Sequence, residues 1–239
     1  MSIMSEPRVI VLTGGTGGLG TAVVKRLANQ NYRFAVTYLV PEEARLFEKA
    51  VGVDEDRLVL SRVDATNTAE VTAFMQQVAD RFGSVHIVCS LVGGWAGGRD
   101  VEETDDVRFD RMIDVNLRSA FATVRAAIPH LKEAGWGRIV LIGSRAAGES
   151  PAGQAAFNAA KAGVAALGQT VAQELDDTGI TANVIVPSVI DTPATRKALP
   201  FADYINWPTP DEIAAVIEFV ISDASAVISG AAIPVYGRT

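Results

Sequence analysis

Histidine and cysteine are nearly missing from this sequence, with two and one respectively among 239 residues. His86, His130 and Cys89 cannot supply the clustered nitrogen and sulfur ligands that structural and catalytic metal sites use, so no metal centre is expected. A single cysteine excludes an internal disulfide. Its place in the run Val85-His86-Ile87-Val88-Cys89 reads as a small buried hydrophobe in a reducing compartment. No apolar run approaches the roughly 18 residues needed to cross a bilayer. Residues 1–7 are polar and lack the apolar core of a signal peptide. A soluble cytoplasmic protein is expected. Positive charge is also short: 21 Lys and Arg stand against 28 Asp and Glu, a formal net charge of −7. That argues against a general nucleic-acid surface, which needs clustered cations. Tyrosine is scarce as well, occurring only as Tyr32, Tyr38, Tyr204 and Tyr236.

What is abundant is apolar material in short runs. Hydrophobic residues make up 49% of the chain, ample for a buried core. Apolar, β-branched segments at 8–13, 33–38, 57–62, 85–90, 137–142, 180–186 and 231–235 read as strands. Helical patterns at 18–30, 41–51, 67–82, 104–132, 153–177 and 210–222 lie between them. Such alternation predicts parallel strands joined by right-handed crossovers, and near-continuous apolar strands predict a sheet covered on both faces. No repeat, low-complexity tract or long linker interrupts it. The expectation is an α/β fold over residues 1–239: one doubly wound, Rossmann-type domain with a seven-stranded, mostly parallel sheet. Ligands of such sheets bind beyond the carboxyl ends of the strands.

The first such end carries Thr13-Gly14-Gly15-Thr16-Gly17-Gly18-Leu19-Gly20, after the apolar run Val9-Ile10-Val11-Leu12 and before a helical pattern. Glycines permit a tight turn and remove the Cβ atoms that would obstruct a ligand. The free N–H groups and dipole of the following helix favour a pyrophosphate. At the second strand's end, Thr37-Tyr38-Leu39 lacks the acid that usually binds an NAD ribose 2′-hydroxyl. No arginine sits in sequence beside that end or in the glycine loop, and Arg45 is a distant candidate. NADP is therefore favoured over NAD, with the choice left open. Asp64 follows the third strand and either accepts from an adenine amino group or caps the next turn. After the fourth strand, 90–99 is glycine-rich and carries Gly93, Trp95 and Arg99, either a site wall or a mobile surface loop.

Together with residues further on, these features resemble the short-chain dehydrogenase/reductase family along essentially the whole chain. Residues 13–20 match its T-G-x-x-x-G-x-G loop. Asn116 lies in Asp114-Val115-Asn116, Ser144 closes Ile142-Gly143-Ser144, Lys161 follows at the family spacing, and Pro187-Ser188-Val189-Ile190-Asp191-Thr192 resembles the Pro-Gly…Thr segment. The family's N-N-A-G motif is replaced by Ser90-Leu91-Val92-Gly93. The resemblance implies an NAD(P)-dependent oxidoreductase of a small carbonyl or alcohol. Ser144 would bond the substrate oxygen, Lys161 would hold the nicotinamide ribose, and Asn116 would hold a proton-relaying water. Thr192 and the Ile190 backbone would hold the carboxamide. The implied cofactor set is Gly14, Thr16, Gly18, Leu19, Gly20, Thr37, Asp64, Gly93, Asn116, Lys161, Pro187, Ile190 and Thr192. Trp95, Arg145, Gln154 and Tyr204 are candidates for substrate contact, although for Arg145 a surface salt bridge competes. Residues 191–208 read as a partly helical lid. The helices at 104–132 and 153–177 would form homotetramer interfaces.

One position departs from the family. Four residues before Lys161, where its tyrosine belongs, stands Phe157. A phenyl ring has no proton to transfer, and a positioned general acid contributes typically ~10²–10⁴-fold. Tyr204 is the only other tyrosine suited as a substitute. The readings left open are an engineered Tyr-to-Phe change, a natural relative whose substrate needs no donated proton, and a catalytically inactive cofactor-binding sensor or scaffold.

Overall fold

The computed structural model of the chain describes residues 6–238; residues 1–5 of the polar N-terminal stretch lie outside them. Seven strands, β1 (Arg8–Thr13), β2 (Tyr32–Tyr38), β3 (Leu58–Arg62), β4 (Ile87–Ser90), β5 (Gly137–Ile142), β6 (Ile180–Pro187) and β7 (Ala232–Val235), form one sheet. Their order is β3-β2-β1-β4-β5-β6-β7. All six pairings are parallel, so a sheet expected to be mostly parallel is parallel throughout. The connections are long enough to return each strand in the same direction. Strand order reverses between β1 and β4, and the crevice at their carboxyl ends is the switch point of such a sheet.

Alternation along each strand divides the core in two. Val9, Val11 and Ala35 face one cluster. There Val71, Phe74 and Met75 of α3 (Thr68–Phe82), Val124 of α5 (Ser119–Ala134) and Val164 of α7 (Ala155–Glu174) pack against the sheet. Ile10, Leu12, Phe34 and Val36 face the other, covered by Leu19, Val23 and Leu27 of α1 (Gly18–Leu27), Phe47 and Val51 of α2 (Pro41–Val51), and Ile213 and Ile217 of α9 (Pro210–Val220). The strands read as continuous apolar runs because both their faces are covered.

Helix boundaries differ from the sequence pattern where backbone geometry intervenes. α7 is shorter at both ends than 153–177, since Gly153 and Asp177 adopt φ of 76° and 61°. The single helix expected over 104–132 is α4 (Asp106–Ile113), a π-helical turn at Asp114–Arg118, and α5. Two short helices, α6 (Ala146–Glu149) and α8 (Pro193–Ala198), follow β5 and β6; α8 lies in the segment expected to be partly helical.

Candidate active site

The glycine loop joins β1 to α1 with almost no space to spare. Gly14 holds φ of 67°, and a Cβ there would stand 2.7 Å from Val92 Cγ2. At Gly20 an added Cβ would lie 2.2 Å from the Gly15 carbonyl oxygen, so the first turn of α1 rests directly on the loop. Gly17 is the N-cap; no side chain caps α1, and no acid occupies its first turn. The helix therefore presents N–H groups and a positive dipole end at the switch point, which is what a pyrophosphate requires. Thr16 and Leu19 are buried in the same turn, and Gly18 opposes Thr192, whose Cγ2 would be 3.1 Å from an added Cβ. The cradle fits a dinucleotide.

Thr37 holds this loop. It is buried, and its hydroxyl accepts the Gly14 N–H at 2.9 Å. Asp64 likewise serves its own turn, its Oδ1 accepting from the Thr66 N–H and hydroxyl at 2.9 and 2.7 Å. Arg45 is exposed and ion-paired with Glu42 at 3.4 Å. The sequence placed no arginine at the end of β2, but the sheet does. Parallel register sets Arg62, the last residue of β3, beside Tyr38. The signal was present in the strand pattern, since 57–62 ends on this residue, but only the pairing of β2 with β3 puts it there.

Asn116, Ser144, Phe157 and Lys161 come together at the carboxyl ends of β4 and β5. The π-helical turn aims the buried Asn116 amide at the loop after β4. Its Oδ1 accepts the Gly94 N–H at 3.2 Å, and its Nδ2 donates to Gly94 and Met112 carbonyls at 2.9 and 3.0 Å. The water-holding role implied by the resemblance is thus joined by a direct clamp on that loop. Gly93 lies where a Cβ would come 3.2 Å from Asn116 Oδ1 and 3.4 Å from Lys161 Nζ. Lys161 is buried; its ammonium donates to the Ile142 carbonyl at 2.8 Å, and burial pushes its pKa down to about 8. Ser144 is half-buried, and its Oγ accepts the Ala146 N–H at 3.2 Å, leaving its own proton to donate. Phe157, buried, packs in a small apolar cluster with Met112, Ala156, Ala96, Val115 and Ala146, separate from both sheet cores.

The four substrate candidates are engaged as follows. Trp95 is half-exposed, and its indole N–H donates to Gln154 Oε1 at 2.6 Å. With Arg99 N–H on the Gly153 carbonyl at 3.2 Å, this ties the loop after β4 to the segment before α7. Arg145 instead pairs with Glu149 at 3.4 Å and lies over the Tyr236 ring, the surface ion pair that competed with a substrate role. Tyr204 stacks under Arg196, with Trp207 nearby; it is not part of the Phe157 cluster and gives no support to its standing in for the missing hydroxyl. Pro187 ends β6 buried, Thr192 N–H donates to the Ile190 carbonyl at 2.9 Å, and the Thr192 hydroxyl caps α8 by accepting the Thr195 N–H at 3.1 Å. Among the described residues no group of three or more His, Cys, Asp or Glu could hold a metal ion, and no helix is long and apolar enough to cross a membrane.

A parallel seven-stranded sheet with an uncapped glycine-loop helix at its switch point defines the Rossmann-type class. The particular family follows from comparison. Residues 8–202 match the family model described as short chain dehydrogenase, and the chain belongs to that family of oxidoreductases. It is 35% identical over 198 residues to D-beta-hydroxybutyrate dehydrogenase of Rhizobium meliloti (strain 1021), covering 81% of this chain and 75% of the relative. It is 32% identical over 238 residues to the 3-oxoacyl-[acyl-carrier-protein] reductase MabA of Mycobacterium bovis, covering 96% and 92%. The solved structure of gox2181 superposes with a TM-score of 0.88 at 29% identity, over 97% of this chain and 95% of the other.

Proposed function

We propose that this chain is an NAD(P)-dependent oxidoreductase of a small carbonyl or alcohol whose proton transfer is impaired by Phe157. The observation that carries the reading is that Asn116 bonds Met112, Ser144 bonds Ala146 and Lys161 bonds Ile142, while Met112 and Ala146 pack with Phe157 at the position of the family's acid. The names of both relatives refer to chemistry at a carbonyl or hydroxyl, which supports that substrate class. The dinucleotide would rest on Gly14, Gly18 and the α1 N-terminus, and when bound it supplies the redox equivalent as a hydride. Ser144 would donate its proton to the substrate oxygen as a hydrogen bond. Lys161, charged below a pH of about 8, would hold a ribose hydroxyl and add positive potential. The Asn116 clamp on Gly94 keeps Gly93 beside Lys161. What the set lacks is a proton to deliver to a developing alkoxide, which one hydroxyl stabilises poorly alone.

A second reading, a cofactor-binding sensor or scaffold without turnover, is favoured by the closed apolar packing of Phe157. The two part on Phe157→Tyr. NADPH and NADH binding is followed by fluorescence, and both proteins are tested on a ketone panel. On the first reading the variant gains roughly 10²–10⁴-fold in turnover, with an apparent pKa below the tyrosine reference of ~10 because Lys161 lies close. Binding without gained turnover supports the sensor; absence of binding removes both. The exposed side chains of Val107 and Phe109 on α4 and Phe121 on α5 support a homotetramer built on these helices and α7, to be checked by light scattering. The lone buried Cys89 thiol, its pKa pushed up to about 12 by burial, supports a cytoplasmic setting.

A further inference from the structure

We infer that Arg62 is the cation that receives a ribose 2′-phosphate, making the site selective for NADP through β3. This rests on the dinucleotide reading above and deepens it. In the parallel ladder Tyr38 and Arg62 are register partners, and the Val63 N–H continues the ladder to the Tyr38 carbonyl at 3.0 Å. Partners in a parallel pair point to the same face, and successive residues alternate. Phe34 and Val36 of β2, with Leu58 and Leu60 of β3, pack in the cluster that contains Leu19, Val23 and Leu27 of α1. Tyr38 and Arg62 therefore leave the sheet on the α1 face, at the same carboxyl end as the α1 N-terminus. Neighbouring strands are about 4.8 Å apart, so β3 lies about 10 Å from β1. That offset suits an adenosine ribose whose pyrophosphate rests on α1.

The chemistry of the surroundings agrees. Arg62 is exposed, and no ion pair or hydrogen bond holds its guanidinium among the described residues. The residues after Tyr38 are the exposed, apolar Leu39 and Val40, which bring no charge. The first acids after Tyr38, Glu42 and Glu43, belong to the first turn of α2, and Glu42 is paired with Arg45; Asp64, two residues beyond Arg62, has its Oδ1 bonded to Thr66. A guanidinium offers a planar fork of donors matched to phosphate.

The test is binding alone. NADPH, NADH, adenosine 2′,5′-bisphosphate and ADP are titrated by calorimetry into the unaltered protein, Arg62→Ala, Arg62→Lys and Arg45→Ala, with folding checked by circular dichroism. Arg62→Ala is expected to weaken the two 2′-phosphorylated probes on the order of ten- to a hundred-fold and leave NADH and ADP unchanged. Arg62→Lys recovers part of the loss, and Arg45→Ala changes nothing. Equal affinity of the unaltered protein for NADPH and NADH overturns the assignment to Arg62 while the dinucleotide reading stands. So does a loss in Arg62→Ala that is equal for all four probes, or a selective loss that appears in Arg45→Ala instead. No binding of any probe overturns the dinucleotide reading itself.

Discussion

Replacing Lys161 by methionine tests the electrostatics of the site through stability, without substrate or cofactor. The ammonium is buried, with one carbonyl at 2.8 Å, and burial moves its pKa from 10.5 to about 8. At 1.36 kcal/mol per pH unit, holding the charged form inside the fold costs about 3 kcal/mol at neutral pH. Between pH 8 and 10.5 the unfolded chain keeps this proton and the folded chain has released it, so this group makes stability rise with pH across that window. Below pH 8 both states carry the proton and the full cost persists; above 10.5 neither does. Methionine fills a similar volume and cannot titrate. It should therefore be the more stable protein near pH 7, by about 3 kcal/mol less the ~1–2 kcal/mol of the lost hydrogen bond to Ile142. Its advantage should shrink and reverse as pH approaches 10. Urea unfolding of both proteins by circular dichroism, from pH 7 to pH 10, gives the difference directly, and other titrating groups cancel in it. Parallel stability curves would refute a depressed pKa for Lys161, and with it the reading that its charge is lost above a pH of about 8.

Two further outcomes follow from local geometry. Gly20→Ala forces a Cβ to within 2.2 Å of the Gly15 carbonyl oxygen; overpacking of this kind costs about 1–3 kcal/mol or more, so the midpoint in urea should fall and nucleotide binding should weaken. Gln154→Leu removes the acceptor of the Trp95 indole N–H. At a half-exposed site the stability change should stay within about 1 kcal/mol, yet acrylamide should quench Trp95 emission more readily; unchanged quenching would mean the two loops are held together without this bond.

The sheet was legible because each strand, covered on both sides, is an unbroken apolar run, and because Gly14 through Gly20 punctuate the first crossover. The residues at 116, 144, 157 and 161 were legible by resemblance, because they stand at the positions and spacing of the family's motifs. What those side chains do was less accessible. Thr37 stands one residue from a strand end, yet its hydroxyl is committed to Gly14; Asp64 turns back on Thr66, and Arg145 on Glu149. Short-range polar partners compete for a group before any ligand does, and the competition is decided by backbone angles that a residue pattern does not encode. Arg62 was hidden for the opposite reason. Its neighbour Tyr38 is 24 positions away, and only the register of two strands joins them.

The π-helical turn at Asp114–Arg118 has a consequence for how this chain tolerates insertions and deletions. Ser119 N–H reaches back five residues to the Asp114 carbonyl, one more than a regular helix allows, which is equivalent to a single residue inserted into an α-helix. Deleting one residue there would restore continuous α-helical bonding and make the segment locally more regular. But each residue turns the helix by about 100°, so α4 would rotate by that angle relative to α5. Met112 would leave Phe157, and the residue in phase with Gly94 would no longer be an asparagine. The irregular turn acts as a phase marker between the wall of the site and the body of the sheet, and a frame-preserving deletion of one codon would erase the site while leaving the fold's helices intact.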